Sequence, residues 1–231
     1  MRLLHGRVSI ELHTLKPAKG RPLLLLHALG VNAEAWPTAA LSWSHGPVYA
    51  LDFAGHGKSG RVRGGAYYPE YFLADADLAL EQIGEPCVLA GAGVGAYVAL
   101  LLAGARADQI FASLLLEGAG LEGGGSLPDH EIEVEVEDIE GFERFIATAS
   151  NDYATSTDPL VAQCGRDLRP LDYVTSFAHA AKPMLFSLRV GRELPAPDWW
   201  PKAFEANRGV AAPEDLVDCL DKLESMASKW S

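Results

Sequence analysis

The sequence is poor in cysteine and in positive charge. Its 231 residues include three cysteines, Cys87, Cys164 and Cys219, which are far apart and form no C-x-x-C pair. This spacing predicts neither a disulfide framework nor a zinc site, and no other metal site is indicated. Lysine and arginine number 19 against 31 aspartates and glutamates, for a net charge of −12. Nucleic acid and anionic membranes attract clustered cations and are therefore not expected as partners.

Long apolar runs are also missing. Segment 1–13 lacks the apolar stretch of a secretory signal, and no run approaches the ~20 residues that span a membrane. Even so, 48% of the residues are hydrophobic, which is enough to build a sizeable core. We therefore expect a cytoplasmic protein whose residues 1–231 form one domain.

Short apolar segments alternate with helical patterns along the first half of the chain. The short segments have the length and composition of strands, and the segments between them have helical spacing. Strands are predicted at 8–15, 23–26, 48–51, 87–90, 111–116 and 184–188, and helices at 70–83, 96–105 and 214–226. This order predicts an α/β fold with a doubly wound, mostly parallel sheet.

The regular order breaks after the strand at 111–116. Residues 121–181 are less regular and acidic, and we predict a small inserted cap there. Within the cap, segment 131–140 alternates glutamate with isoleucine or valine over most of its length. This pattern predicts an exposed acidic strand, whose charge discourages pairing with other chains.

A glycine-rich turn connects one predicted strand to the most apolar predicted helix. Its sequence is Gly91-Ala92-Gly93-Val94-Gly95, with small residues on both sides of the centre, as expected where a strand and a helix pack closely around a strained turn. His27-Ala28-Leu29-Gly30 follows an earlier strand, and the polar loop 52–60 follows the next. Taken together, these motifs resemble the α/β-hydrolase superfamily, over residues 1 to about 120 and more weakly near the C-terminus.

The resemblance implies where a catalytic triad would lie, and two parts of it are missing. The nucleophile position is Gly93, which has no side chain to attack a substrate and is expected to have a positive φ. The family's general base lies after the last strand, but the last of the seven histidines is His179. Glu117 and Glu193 occupy the positions at which the family places its acid. Serine-hydrolase activity is therefore not expected.

The resemblance also implies two main-chain N–H donors of an oxyanion hole, one from the loop at Ala28 and Leu29 and one from Val94. The loss of a serine side chain does not remove these donors, so we expect a ligand carbonyl, a carboxylate or water to bind them. The predicted function is a non-catalytic protein that binds a small organic or carboxylate-like ligand or a protein partner, a homodimer being one such arrangement.

Two other functions remain open. One is a hydrolase or lyase of the same superfamily that works without a serine nucleophile and uses His27, Glu117 or a cap histidine as acid or base. The other is a dinucleotide-binding module, because Gly91, Gly93 and Ala96 match the fingerprint G-x-G-x-x-G/A and Glu117 ends the next strand. Against it, three strands precede the motif, which normally follows the first strand. No other cofactor is indicated.

Several further polar and aromatic residues have simpler structural explanations. His27 is expected to hydrogen-bond to the backbone, and Asp52 and His56 are expected to hold the turns of their own loop. Trp199 and Trp200 are expected to cover the core.

Overall fold

One mixed sheet runs through the part of the chain that the computed structural model describes, residues 1–123, 157–187 and 197–230. Its strands are β1 Arg2–His5, β2 Val8–Lys16, β3 Leu23–Leu26, β4 Val48–Asp52, β5 Cys87–Ala92, β6 Ile110–Leu116, β7 Met184–Phe186 and β8 Val210–Ala211. Their order across the sheet is β1-β2-β4-β3-β5-β6-β7-β8. The pairs β1/β2 and β2/β4 are antiparallel, and the other neighbours are parallel.

Helices cover both faces of the sheet. They are α1 Pro69–Ile83, α2 Val94–Ala105, α3 Leu171–Ala180, α4 Trp199–Asn207 and α5 Leu216–Ala227. Helices α1 to α4 pack on one face, and α5 packs on the other together with the short 3-10 helices Ala33–Ala35 and Thr38–Ser42. No helix within the described residues is long and apolar enough to cross a membrane.

The central strand β3 shows why the sheet forms in this way. All four of its leucines are fully buried. Leu24 and Leu26 contact the core under α1 to α4, whereas Leu23 and Leu25 contact the core under α5. A parallel strand that is covered on both faces needs apolar residues at every position, because successive side chains point to opposite faces.

Helix α2 lies at the centre of its layer. Its residues from Val94 to Ala103 are all buried, and it packs against α1, α3 and the strands β5 and β6. In a parallel α/β fold each helix runs opposite to its strands, so the N-termini of the helices gather at the carboxyl edge of the sheet. The loops that leave β3, β4, β5 and β6 therefore meet at one edge, where the candidate site lies.

The α/β fold and the mostly parallel sheet that the sequence predicts are confirmed. The burial of Trp199 and Trp200 is confirmed as well. The sequence did not predict β1, β8, α3 or α4; β1 and β8 have four and two residues, too few for a periodic pattern. Segment 131–140 lies outside the described residues, so its strand remains a prediction.

The predicted cap, 121–181, is described only in part. Residues 171–180 within it form α3, which packs against α2 in the main helical layer. Residues Pro159–Arg166 form a 3-10 helix, and the side chain of the preceding residue, Asp158, caps its N-terminus by accepting from Leu160 N–H. The main-chain N–H of Asp158 donates to the carbonyl of Gly55 at 2.7 Å. The limits of the cap remain a prediction, because residues 124–156 are outside the described ranges.

Candidate functional site

The turn between β5 and α2 has the backbone geometry that the sequence predicts. Gly93 has φ 57° and ψ −123°, so its positive φ is confirmed. The flanking glycines allow three backbones to approach closely: a Cβ at Gly91 would lie 2.2 Å from the Gly95 carbonyl oxygen, and a Cβ at Gly95 would lie 2.2 Å from the Leu26 carbonyl oxygen. The small residues of the motif thus bring β5, α2 and β3 together.

A main-chain carbonyl occupies the position where the sequence predicts an open oxyanion hole. The carbonyl oxygen of Ala119 accepts hydrogen bonds from the N–H groups of Leu29 and Val94, both at 3.0 Å. A Cβ at Gly93 would lie only 2.1 Å from the same oxygen. The Ala119 carbonyl oxygen therefore binds both N–H donors. It also fills the space that a serine side chain at position 93 would occupy.

The loop that carries Ala119 requires its own small residues. A Cβ at Gly118 would lie 2.9 Å from the Gly93 nitrogen. Gly120 has φ 77°, and a Cβ there would lie 2.8 Å from the Cβ of Leu29. The sequence Gly118-Ala119-Gly120 is thus the part of the chain that fits against the turn at Gly93.

Two side chains from distant segments hold this loop in place. Arg169 is buried, and its Nη2 donates to the Gly120 carbonyl at 3.2 Å. The indole Nε1 of Trp199 donates to the Leu121 carbonyl at 2.9 Å. Leu121 N–H in turn donates to the Gly118 carbonyl at 3.3 Å. Sequence reasoning missed Arg169, because a single arginine in an irregular segment carries no pattern that points to this loop.

His27 lies after β3 and makes two backbone hydrogen bonds, as expected. Its Nδ1 donates to the Ala28 carbonyl at 2.7 Å, and its Nε2 accepts from Phe53 N–H at 3.1 Å. Burial lowers its pKa to about 4, so the ring is neutral at pH 7. Both ring nitrogens are engaged, which leaves His27 without a nitrogen to act on a substrate as acid or base.

His56 and Asp52 hold the neighbouring loops together, which confirms their predicted structural role. His56 accepts from Gly30 N–H at 3.2 Å and donates to the Ala54 carbonyl at 3.0 Å. Burial lowers its pKa to about 3, and the neighbouring His27 contributes to this shift. The Asp52 carboxylate accepts from Ala33 N–H and from Lys58 N–H, both at 2.8 Å.

The pKa of Asp52 lies below its usual value although the carboxylate is buried. Burial opposes its ionisation, but the hydrogen bond from His13 Nε2 at 2.8 Å and the two N–H bonds outweigh this effect. Asp52 is therefore an ionised structural group that links the loops after β3 and β4.

Only one of the two predicted acids, Glu117, lies within the described residues. Glu117 follows β6 and is half-buried. It directly precedes Gly118-Ala119-Gly120, the loop whose carbonyl binds the oxyanion donors. Glu193 lies outside the described residues, and its predicted role stays untested. After β8 the chain continues as Ala212-Pro213-Glu214-Asp215, with no histidine at the position of the family's base.

The geometry of the glycine-rich turn does not favour the dinucleotide alternative. A phosphate at such a turn is held by free N–H groups at the start of the helix. Here the N–H of Gly93 donates to the Leu116 carbonyl, that of Val94 to Ala119, and those of Ala96 and Tyr97 to the Gly93 carbonyl. The glycines allow close packing of the backbones instead.

Among the described residues there is also no group of three or more His, Cys, Asp or Glu side chains that could hold a metal ion.

Comparison with known proteins identifies the family. Residues 23–221 match the alpha/beta hydrolase family. The chain belongs to this family. The (E)-2-((N-methylformamido)methylene)succinate hydrolase of Acinetobacter baylyi is similar to it, with 31% identity over 111 residues. That match covers 46% of this chain and 41% of the relative's length.

Solved structures share the fold at low sequence identity. The thioesterase domain from the curacin biosynthetic pathway matches with a TM-score of 0.67 and 16% identity, over 100% of this chain and 97% of that one. The bottromycin epimerase BotH, in complex with bottromycin A2, matches with a TM-score of 0.64 and 16% identity, over 100% and 99%. These likenesses establish the alpha/beta hydrolase fold, and the resemblance that the motifs indicate is confirmed.

Any side chain at Gly93 should destabilise the fold by displacing the Ala119 carbonyl. We expect Gly93→Ala to lower the free energy of unfolding by about 3 kcal/mol or more, because backbone strain adds to a steric overlap. Gly6→Ala is the matched control, since Gly6 has a φ of 61° and nothing within 4 Å of a Cβ. It should cost only about 1 kcal/mol. Equal losses in urea denaturation would show that Ala119 does not confine Gly93.

Acid should destabilise the fold through His27 and His56. Their pKa values in the folded protein are about 4 and about 3, against 6.5 for an exposed histidine. The unfolded chain therefore binds more protons below pH 6.5, and the free energy of unfolding falls as the pH is lowered. The expected slope is up to about 1.4 kcal/mol per pH unit for each histidine.

Urea denaturation of wild type and His27→Gln between about pH 5 and pH 6.5 measures this slope. In His27→Gln the free energy of unfolding should depend less steeply on pH than in wild type. The difference is the contribution of one histidine, up to about 1.4 kcal/mol per pH unit. His179→Gln, which replaces an exposed histidine at the end of α3, shows what the loss of a histidine does without burial. A slope that is the same in wild type and His27→Gln would contradict the assignment of a neutral buried His27.

Proposed function

We propose that this chain is a non-catalytic member of the alpha/beta hydrolase family, which binds a small organic ligand or a protein partner and does not carry out acyl transfer. The observation that supports the lack of acyl transfer is the Ala119 carbonyl, which accepts from both Leu29 N–H and Val94 N–H at 3.0 Å. Acyl transfer needs these donors for the negative oxygen that forms in the transition state.

The occupied donors have a large energetic consequence for hydrolysis. Removal of a single oxyanion-hole donor from a serine hydrolase typically lowers kcat by about 10²–10³. In this protein both donors are bonded to Ala119, and a substrate oxygen would have to displace that carbonyl. The same displacement would disturb the bonds that Arg169 and Trp199 make to the loop.

The absent side chains support the same conclusion. Gly93 offers no nucleophile, and no histidine follows β8. The buried His27 and His56 use both ring nitrogens in backbone hydrogen bonds. Since the nucleophile and its base act as a unit, the loss of both removes the chemistry and not only part of the rate.

A second candidate function is an enzyme that uses the fold without a covalent nucleophile. The epimerase BotH has the same fold, so the fold accommodates chemistry other than hydrolysis. Glu117, half-buried beside the loop at Ala119, would be its acid or base. A protein partner, including a second copy of the chain, remains a prediction from the sequence.

Activity-based labelling tests the proposal. A fluorophosphonate probe should label neither wild type nor Gly93→Ser, because a serine Cβ would meet Ala119 and no histidine follows β8 to take the proton. A turnover screen with acyl esters, thioesters and epoxides should show no rate above background. Stoichiometric labelling of any serine would contradict the proposal. Turnover that is present in wild type and lost in Glu117→Gln would establish the second candidate instead.

A further inference from the structure

One buried carboxylate connects the edge strand β1 to helix α1 and to the loop that follows β4. Asp75 lies in α1 and is fully buried. Its Oδ1 accepts from His5 Nδ1 at 2.7 Å, and its Oδ2 accepts from Ala54 N–H at 2.9 Å. Ionised carboxylates are rarely buried to this extent unless they are paired, so the carboxylate of Asp75 depends on these two partners.

His5 is the member of this pair that solvent reaches. It is the last residue of β1, and its side chain is 25% exposed. Its ring packs against that of Tyr71 in α1, with 4.1 Å between the ring centres. Because histidine gains or loses a proton near neutral pH, the pair can change its charge at His5 while the carboxylate stays buried.

The two members of the pair depend on each other for their charge. Burial raises the pKa of Asp75, so its ionised form needs a positive partner. The hydrogen bond to Asp75, together with its charge, raises the pKa of His5 above 6.5. A raised pKa means that the protonated ring stabilises the fold below pH 6.5 and that this stabilisation is lost as the pH rises through the pKa of the folded protein. Above that pH a buried carboxylate faces a neutral ring.

The other titratable and charged groups around the pair leave its charge unchanged. Helix α1 presents Tyr71, whose pKa is raised by burial, so the phenol is uncharged at neutral pH. Glu11 of β2 forms an ion pair with the N-terminal amino group at 2.9 Å, and Arg7, in the turn between β1 and β2, is exposed. His56, in the loop after β4, is kept neutral by burial. The carboxylate and the imidazole thus set each other's ionisation.

The pair lies at the same edge of the sheet as the candidate site. Strand β1 is antiparallel to β2, and β2 is antiparallel to β4, so β1 and β4 end at the same edge. The loop that holds Ala54 also contacts the loops around the site. The Gly55 carbonyl accepts from Asp158 N–H at 2.7 Å, and His56 accepts from Gly30 N–H at 3.2 Å. A change at the pair therefore acts on a loop that borders the site.

We propose that His5 and Asp75 form a pH-sensitive latch, which holds β1 and the loop after β4 against α1 while His5 is protonated and allows both to open when His5 loses its proton. This inference goes beyond the proposed function. The latch acts at and above pH 6.5, whereas the destabilisation through His27 and His56 acts below that pH.

Two amides report on the state of the latch. Leu12 N–H donates to the Met1 carbonyl at 2.8 Å, and hydrogen-bonded pairs alternate along an antiparallel ladder, so Leu3 N–H also donates to β2. Ala54 N–H donates to Asp75 itself. Exchange of these two amides with solvent therefore measures the opening of β1 and of the loop.

Amide exchange between about pH 6 and pH 9 tests the latch, together with the pKa of His5 from its NMR titration. We expect that pKa to lie above 6.5. The protection of the Leu3 and Ala54 amides, corrected for the intrinsic rate of exchange, should fall as the pH rises. The fall should be about tenfold for each pH unit by which the pKa of His5 exceeds 6.5. The amide of Leu24, in the central strand β3, should keep its protection and serves as the reference.

The variant His5→Gln separates the charge from the hydrogen bond, because glutamine can donate to Asp75 but does not titrate. Its Leu3 and Ala54 amides should show low protection that is independent of pH in this range. His45→Gln is the matched control, since His45 is exposed, and it should retain the pH dependence of wild type.

Three results would overturn the latch. They are a His5 pKa at or below 6.5, protection of Leu3 or Ala54 that stays constant across the pH range, and a His5→Gln variant that retains the pH dependence of wild type. None of these results bears on the proposed function, which fluorophosphonate labelling tests.

Discussion

The carbonyl oxygen of Ala119 accepts two main-chain hydrogen bonds, and the arrangement of the candidate site depends on this one acceptor. The donors, Leu29 and Val94, come from loops after different strands, β3 and β5. A buried N–H group without a partner costs about 1–3 kcal/mol, so an empty oxyanion hole would be unfavourable twice over. In this chain the loop after β6 supplies the acceptor from the protein itself.

Several other features are consequences of this contact. Gly93 has to be glycine, because any Cβ would overlap the Ala119 oxygen, and Gly118 and Gly120 allow the loop to come close enough. Arg169 and Trp199 then hold the loop by its next two carbonyls. The glycine at position 93 and the position of the loop Gly118-Ala119-Gly120 therefore depend on each other, because the Ala119 oxygen lies where a side chain at position 93 would be. We therefore expect that substitution of Gly93 by serine alone will not restore a catalytic geometry.

The sequence predicts the parts of this structure that depend on local pattern. The four leucines of β3 and the small residues around Gly93 identify the central strand and the turn, because burial and close approach restrict residue type at each position. The glycine at position 93 and the lack of any histidine after His179 are read directly from the sequence. The sequence does not show which group binds the oxyanion donors, because a main-chain carbonyl can belong to any residue type. The sequence therefore suggested a ligand at Leu29 and Val94, where the structure has Ala119.

Contacts between distant segments explain what else the sequence could not show. Arg169 lies in an irregular segment, and its role depends on Gly120, Cys164 and Tyr97, which the fold brings together. Helix α3 has few buried positions, Val174 and Ala178, and its pattern does not stand out from the acidic region before it. Conversely, His27 and Asp52 were recognisable as structural groups, because polar residues in turns most often bond to nearby backbone.

The central claim is that Ala119 occupies the oxyanion donors, and NMR scalar couplings across hydrogen bonds test it most directly. In a protein labelled with ¹⁵N and with ¹³C at the alanine carbonyls, the amide nitrogens of Leu29 and Val94 should both couple to one carbonyl carbon, that of Ala119. Both amides should also be protected from exchange with solvent. If neither amide couples to Ala119 and both exchange rapidly, the oxyanion hole is open and the account is wrong.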